Sequence, residues 1–172
     1  YLIAGGLVMG WMILSRPSEI VCLLLPLFWN VYDKESLKAK VTLIKNHMSH
    51  VWLLLGCGIM VFIPQFIYWA KVTGSPIFFS YQRTEGFDFL KPHILNVLFS
   101  FKKSLLIYTP VLIFTIIALV RMRKYNKQLQ PAIVLYAFLN FYLLASWAAW
   151  WNGGSFGMRY FSESYAVMAL PL

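Results

Sequence analysis

Charge is what this chain has least of. Only 12% of its 172 residues are Asp, Glu, Lys or Arg, against about a quarter in a water-soluble domain. Residues 51–70, 104–120 and 128–158 hold no charge at all. That scarcity argues against a soluble helical core, in which each outer helix needs a polar face toward water. Cysteine is nearly missing as well. Cys22 and Cys57 fall inside apolar runs without paired spacing, which excludes a disulfide framework and leaves two free thiols acting as small hydrophobes. No cluster has metal-ligand spacing. His47 and His50 are three apart but sit in a basic segment, where a solvated interfacial pair is expected rather than a zinc site. Neither a metal nor a cofactor is expected. Acidic residues number six against fifteen basic ones, a net charge of +9. The basic residues lie mainly between apolar runs, where they orient a chain and meet anionic lipid; nucleic acid is not an expected partner.

What the chain has is apolar length: 60% of it is hydrophobic. A run of about 20 apolar residues spans roughly 30 Å as an α-helix, the thickness of a bilayer's hydrocarbon core. The expected fold class is all-α, a polytopic transmembrane helix bundle of about four full spans plus truncated terminal helices. The spans fall near residues 1–14, 18–32, 51–70, 104–120, 129–151 and 164–172. Both ends lie inside apolar runs, so residues 1–172 read as a partial transmembrane domain of a longer protein. Gly5, Gly6 and Gly10 share one side of the first helix and favour close helix packing. Pro17 ends that helix and suits the first turn of the next, which closes on Trp29 and Tyr32 as interface anchors. Between 33 and 50, Leu37, Val41 and Ile44 keep helical spacing among lysines, which reads as a surface helix in the headgroup region. Residues 71–103 form the longest loop, and Pro110 predicts a kink in the span that follows it. No segment repeats another, so an inverted-repeat transporter is not supported.

Alternation puts 33–50 and 121–128 on one side of the membrane and 15–19, 71–103 and 152–163 on the other. Lys and Arg number eight on the first side and seven on the second, but four of the eight crowd into 121–128, which makes the first side cytoplasmic. The opposite face then collects Arg16 and Glu19, Arg83, Glu85 and Asp88, and Arg159 and Glu163, each at or near the end of a span. Glu19, Asp88 and Glu163 read as salt-bridged or snorkelling loop residues. Arg16 and Arg159 sit in very short connections between apolar helices, where an arginine needs an anion and a lipid phosphate is the obvious one.

The most informative run is Trp150-Trp151-Asn152-Gly153-Gly154-Ser155-Phe156-Gly157-Met158-Arg159-Tyr160: indoles at headgroup level, glycines that permit tight turns, and one arginine at the membrane edge. With it come Gly6-Leu7-Val8-Met9-Gly10 leading into Ser15-Arg16-Pro17, and Pro64-Gln65-Phe66-Ile67-Tyr68-Trp69 followed by Thr73-Gly74. Further along are Ser80-Tyr81 with Glu85-Gly86-Phe87, and Leu98-Phe99-Ser100 through to Tyr108-Thr109-Pro110. In this order the segments resemble the polyprenyl-phosphate-dependent membrane glycosyltransferases of the GT-C superfamily, in the group related to protein O-mannosyltransferases and the lipid A aminoarabinose transferase.

The resemblance implies a GT-C-like fold in a bacterial cytoplasmic (inner) membrane. It also implies an inverting transfer of a sugar from a polyprenyl phosphate to an acceptor hydroxyl on the extracytoplasmic face. The implied partners are membrane lipid, the polyprenyl-phosphate sugar donor, and an acceptor glycan, lipid or protein. Arg16 and Arg159 are the implied holders of the lipid phosphate. Tyr81, Arg83, Glu85, Trp151 and Asn152 are the implied walls of the substrate pocket. The family's acidic base lies in an external loop expected upstream of Tyr1, so no catalytic residue is assigned and Glu85 does not take that role. The alternative function is a non-catalytic lipid-linked-sugar transporter or membrane assembly scaffold, which needs only spans, glycine packing and basic loops. A transporter needs polar groups along a path at mid-bilayer, and only Asn140 lies near a span centre. The topology predicts that alkaline phosphatase fused after Gly154 is active in a bacterial host and that the same reporter fused after Lys124 is silent. The reverse pattern places the arginines where no external donor reaches them.

Overall fold

Prolines decide where helices can run, and the fold follows them. A computed structural model of the chain describes residues 1–78, 86–151, 153–154 and 156–172. Its elements are α1 (Leu2–Ser15), a 3-10 helix (Pro17–Leu23), α2 (Leu24–Phe28), α3 (Lys34–Asn46), α4 (Met48–Met60) and α5 (Ile63–Thr73). They continue with α6 (Ile94–Phe99), α7 (Leu105–Tyr108), α8 (Leu112–Met122), α9 (Gln130–Ala145), a second 3-10 helix (Arg159–Ser164) and α10 (Tyr165–Ala169). Among the described residues there is no strand, only one isolated antiparallel bridge between Phe87 and Trp147. The class is all-α.

Arg16, ahead of Pro17, is extended at φ −149° and ends α1, because a residue before proline is pushed out of the helical region. No single α-helix covers 18–32. Pro26 has no N–H to continue a ladder and fits only the first turn of a helix, so α2 restarts at Leu24 behind the 3-10 segment. The run 104–120 is likewise cut in two. Thr109 leaves the helical region ahead of Pro110, at φ −138° and ψ 65°; α7 stops at Tyr108, and α8 begins at Leu112, a full break where a kink was expected. The long connection over 71–103 is partly helical at both ends, with α5 reaching Thr73 and α6 covering Ile94–Phe99. Gly74, at φ +75°, caps α5 in the left-handed conformation.

The chain divides into two compact units, Tyr1–Leu23 with Asp33–Ser80, and Leu24–Tyr32 with Tyr81–Leu172. In the first, α1 packs along α4. A Cβ added at Gly6 would come within 2.6 Å of the Leu54 carbonyl oxygen, and one at Gly10 within 2.5 Å of the Gly58 carbonyl oxygen. The two helices therefore touch backbone to backbone, which only glycine permits and which gains dispersion along the seam. The helix α3 starts with a capping box: Ser36 N–H donates to the Asp33 carboxylate at 2.7 Å and Asp33 N–H donates to the Ser36 hydroxyl at 3.0 Å. Among the described residues one helical run, Met48–Thr73 through α4 and α5, is long and apolar enough to cross a membrane. Only 6% of its most apolar window is buried, whereas the core helix of a soluble domain has that surface covered.

In the second unit α9 is the axis. Its buried residues Ala132, Ile133, Tyr136, Asn140, Leu144 and Ala145 form a stripe at helical spacing. Val97, Leu105, Leu112, Met158, Phe161 and Met168 complete the core with Leu144 and Ala145.

Replacing Gly10 by Leu should destabilise the α1–α4 pair by about 1–3 kcal/mol through overpacking. Gly56, on α4 with no atom within 4 Å of an added Cβ, should accept Ala with a gain of about 0.5–1 kcal/mol. Denaturant unfolding of the detergent-solubilised protein checks both; equal midpoints for the two variants would rule out the close seam.

Candidate functional site

The last turn of α9 leaves carbonyls that no further helix satisfies. The chain satisfies them from the 86–93 segment: His93 N–H donates to the Ala145 carbonyl at 2.7 Å and Asp88 N–H to that of Ser146 at 2.7 Å. In return Ala148 N–H donates to the Gly86 carbonyl at 2.9 Å, and the Tyr142 hydroxyl donates to the Phe89 carbonyl at 2.6 Å. Rings reinforce the contact. Phe87 meets Trp147 edge-on at 4.8 Å and stacks on Phe89 at 5.4 Å. Part of the long connection is thus fastened to the segment that leads into the tryptophan-rich turn.

Two lysines hold that turn. The Lys102 ammonium lies 4.3 Å from the Trp151 ring centre, a cation–π contact. Lys103 is buried, and its ammonium donates to the Gly153 carbonyl. Trp150 and Trp151 meet edge to face at 6.0 Å, with the His93 ring 6.3 Å from Trp150. Gly153 and Gly157 are both left-handed, at φ +61° and +56°, which explains glycine at these two places.

The turn delivers Arg159 to the start of the second 3-10 helix. Arg159 is exposed at the rim of a cavity of about 380 Å³ lined with Tyr108, Thr109, Phe156, Met158, Ser162 and Tyr165. Its guanidinium lies 5.8 Å from the Tyr160 ring, and its carbonyl accepts from the Ser162 hydroxyl at 2.7 Å. Tyr108 meets Phe156 edge-on at 5.3 Å and donates to the Phe101 carbonyl at 2.8 Å. The Thr109 and Tyr165 hydroxyls lie 3.2 Å apart. A cation, hydroxyls and aromatic walls make a site suited to a phosphate attached to both apolar and polar groups.

The predicted site residues divide as follows. Arg159 and Trp151 lie in the second unit, at the cavity and in the adjoining turn. Arg16 belongs to the first unit. It is half-buried, its N–H donates to the Met12 carbonyl at 3.1 Å, and its carbonyl accepts from Glu19 N–H at 2.9 Å. Tyr81, Arg83, Glu85 and Asn152 lie outside the described residues. Glu19 is buried, with the Cys22 thiol donating to its carboxylate at 3.1 Å. Sequence reasoning missed Lys102 and Lys103. Their place under a turn fifty residues away has no sequence signature.

Buried deeper, the Tyr136 hydroxyl donates to that of Ser164 at 3.1 Å, and the Asn140 amide donates to the same Ser164 oxygen. Asn140, the polar residue expected at a span centre, thus ties α9 to the second 3-10 helix. Among the described residues no group of His, Cys, Asp and Glu is arranged to hold a metal ion. Compared with protein families, curated proteins and solved structures, the chain finds no match in any of the three.

Lys103→Met removes a charge-assisted hydrogen bond worth about 1.5–3 kcal/mol. Deuterium exchange at the amides of Gly153, Gly154 and Gly157 should accelerate about tenfold or more, while α1 and α4 keep their protection. Unchanged exchange in the turn would show that Lys103 does not hold it.

Proposed function

We propose that the protein is a multi-spanning glycosyltransferase of a bacterial inner membrane, in the manner of the GT-C enzymes its sequence resembles. It moves a sugar from a polyprenyl phosphate to an acceptor hydroxyl on the extracytoplasmic face. The observation behind this reading is Arg159 at the rim of a cavity that offers hydroxyls from Tyr108, Thr109, Ser162 and Tyr165 beside the apolar walls of Phe156 and Met158. The exposed apolar faces of Met48–Thr73 support a membrane setting.

In the reaction the acceptor oxygen attacks the anomeric carbon, the bond from that carbon to the phosphate oxygen breaks, and the phosphate leaves with the electron pair. The acceptor's proton goes to a general base. Arg159 forks onto two phosphate oxygens, so its charge acts where negative charge develops. Arg16 is the second residue proposed for the phosphate. Trp151, with Tyr81, Arg83, Glu85 and Asn152, is proposed to shape the sugar and acceptor pocket. The transporter or scaffold alternative gains nothing from Asn140, whose amide is bonded to Ser164 rather than open to a path.

A transfer assay in membranes carrying the full protein, with a polyprenyl-phosphate sugar as donor, tests the proposal. Arg159→Ala should lower kcat/KM by about 10²–10³, the loss typical of one preorganised charge donor. Arg159→Lys should recover part of it, since a point charge remains without the fork. Wild-type rates in an Arg16→Ala, Arg159→Ala double variant would end the phosphate role.

A further inference from the structure

A second cavity lies in the same unit, away from the segments just described. About 410 Å³ in volume, it is lined with Tyr32, Arg123, Lys127, Gln130, Pro131, Val134, Leu135 and Phe138. We propose that it binds one anionic phospholipid, with the phosphate held by Arg123 and Lys127 and an acyl chain laid along α9. This inference rests on the membrane setting and not on sugar transfer.

Three observations carry it. The first is charge: the lining holds two cations and no carboxylate. Arg121 and Lys124 flank Arg123 in the sequence and add to the local positive potential, worth about 1 kcal/mol for each basic residue near an anionic surface.

The second is that the cationic end is built rather than accidental. Asn30 takes the left-handed conformation at φ +63°, and its N–H donates to the Gln128 carbonyl at 2.9 Å. That bond joins the end of α2 to the basic turn and sets Tyr32 against Lys127, whose ammonium lies 4.9 Å from the ring centre. Trp29 and Tyr125, both more than half exposed, lie in the two segments so joined, as aromatics do at headgroup level.

The third is shape. Pro131, Val134, Leu135 and Phe138 follow i, i+3, i+4, i+7 spacing, so they form one apolar face that runs about 10 Å down α9 from the cations. Phe138, at its far end, is 63% exposed. A free phosphate uses the cations and leaves this wall bare. A phospholipid covers both.

The test counts lipids retained by the full protein, using native mass spectrometry after exchange into mixed micelles of phosphatidylglycerol and phosphatidylcholine. The wild type should keep one phosphatidylglycerol in preference. The Arg123→Gln, Lys127→Gln variant should lose that preference by at least about fivefold. Lys38→Gln with Lys45→Gln removes the same charge from α3 and should leave it intact. Swapping the cations, Arg123→Lys with Lys127→Arg, should keep it and so separates charge from misfolding. Millimolar glycerol phosphate should not displace the lipid. Equal retention of phosphatidylcholine, an equal loss in the α3 control, loss in the charge-swapped variant, or displacement by glycerol phosphate would each overturn the proposal.

Discussion

Helix α9 ends in carbonyls that no further turn of helix can satisfy, and the amides of a distant segment satisfy them. An unsatisfied buried carbonyl forfeits about 1–3 kcal/mol, a large share of a domain's net stability. The bonds from His93 to Ala145 and from Asp88 to Ser146 remove that penalty and fasten the 86–93 segment at the end of the helix. Everything proposed for the cavity at Arg159 depends on this fastening. Trp147 sits in the same contact, the tryptophan-rich turn leaves directly from it, and Lys102 and Lys103 hold the turn through Trp151 and Gly153.

From the other direction, the buried polar trio fixes the place where the turn ends. An amide taken out of water without a partner costs about 2–7 kcal/mol, so Asn140 in the middle of an apolar helix must find one. It finds Ser164, and Tyr136 donates to the same hydroxyl. Ser164 closes the six-residue 3-10 helix that Arg159 opens, so the bond anchors to α9 the far end of the helix that carries the arginine. The arginine's side chain is left exposed while its main chain is doubly constrained, which suits a group that must meet a ligand without searching for it.

Much of the helical content was legible because apolar runs without charge leave few alternatives. The glycine seam was legible too, since Gly6 and Gly10 lie four apart and face one partner, Gly58 among its contacts. The misreadings are local and have a common cause. At Pro26 apolar length outweighed a missing N–H, and at Pro110 a kink was expected where the helix stops altogether; in both places the backbone obeyed the missing N–H. The return of 86–93 onto α9 was invisible for a different reason. It is made by main-chain groups, which every residue carries, and by a register that side-chain pattern does not encode. Lys102 and Lys103 share that difficulty, since a lysine's reach to a carbonyl fifty residues away leaves no periodicity behind.

Both cavities of the second unit combine a cation at the rim with aromatic and aliphatic walls, and neither lining includes a carboxylate. One lies by the turn that precedes α9 and the other by the segment that follows the turn after it. Sixteen residues of helix separate those turns by about 24 Å. Charge alone gives a phosphate no reason to choose between them. Hydroxyls do. The lining at Arg159 carries Tyr108, Thr109, Ser162 and Tyr165, whereas that at Arg123 and Lys127 has only Tyr32. A phosphate that bears a sugar can use several hydroxyls, and one that bears only acyl chains cannot. On the proposed readings the two sites therefore sort their ligands by the polar groups beside the phosphate, with the same electrostatic attraction common to both.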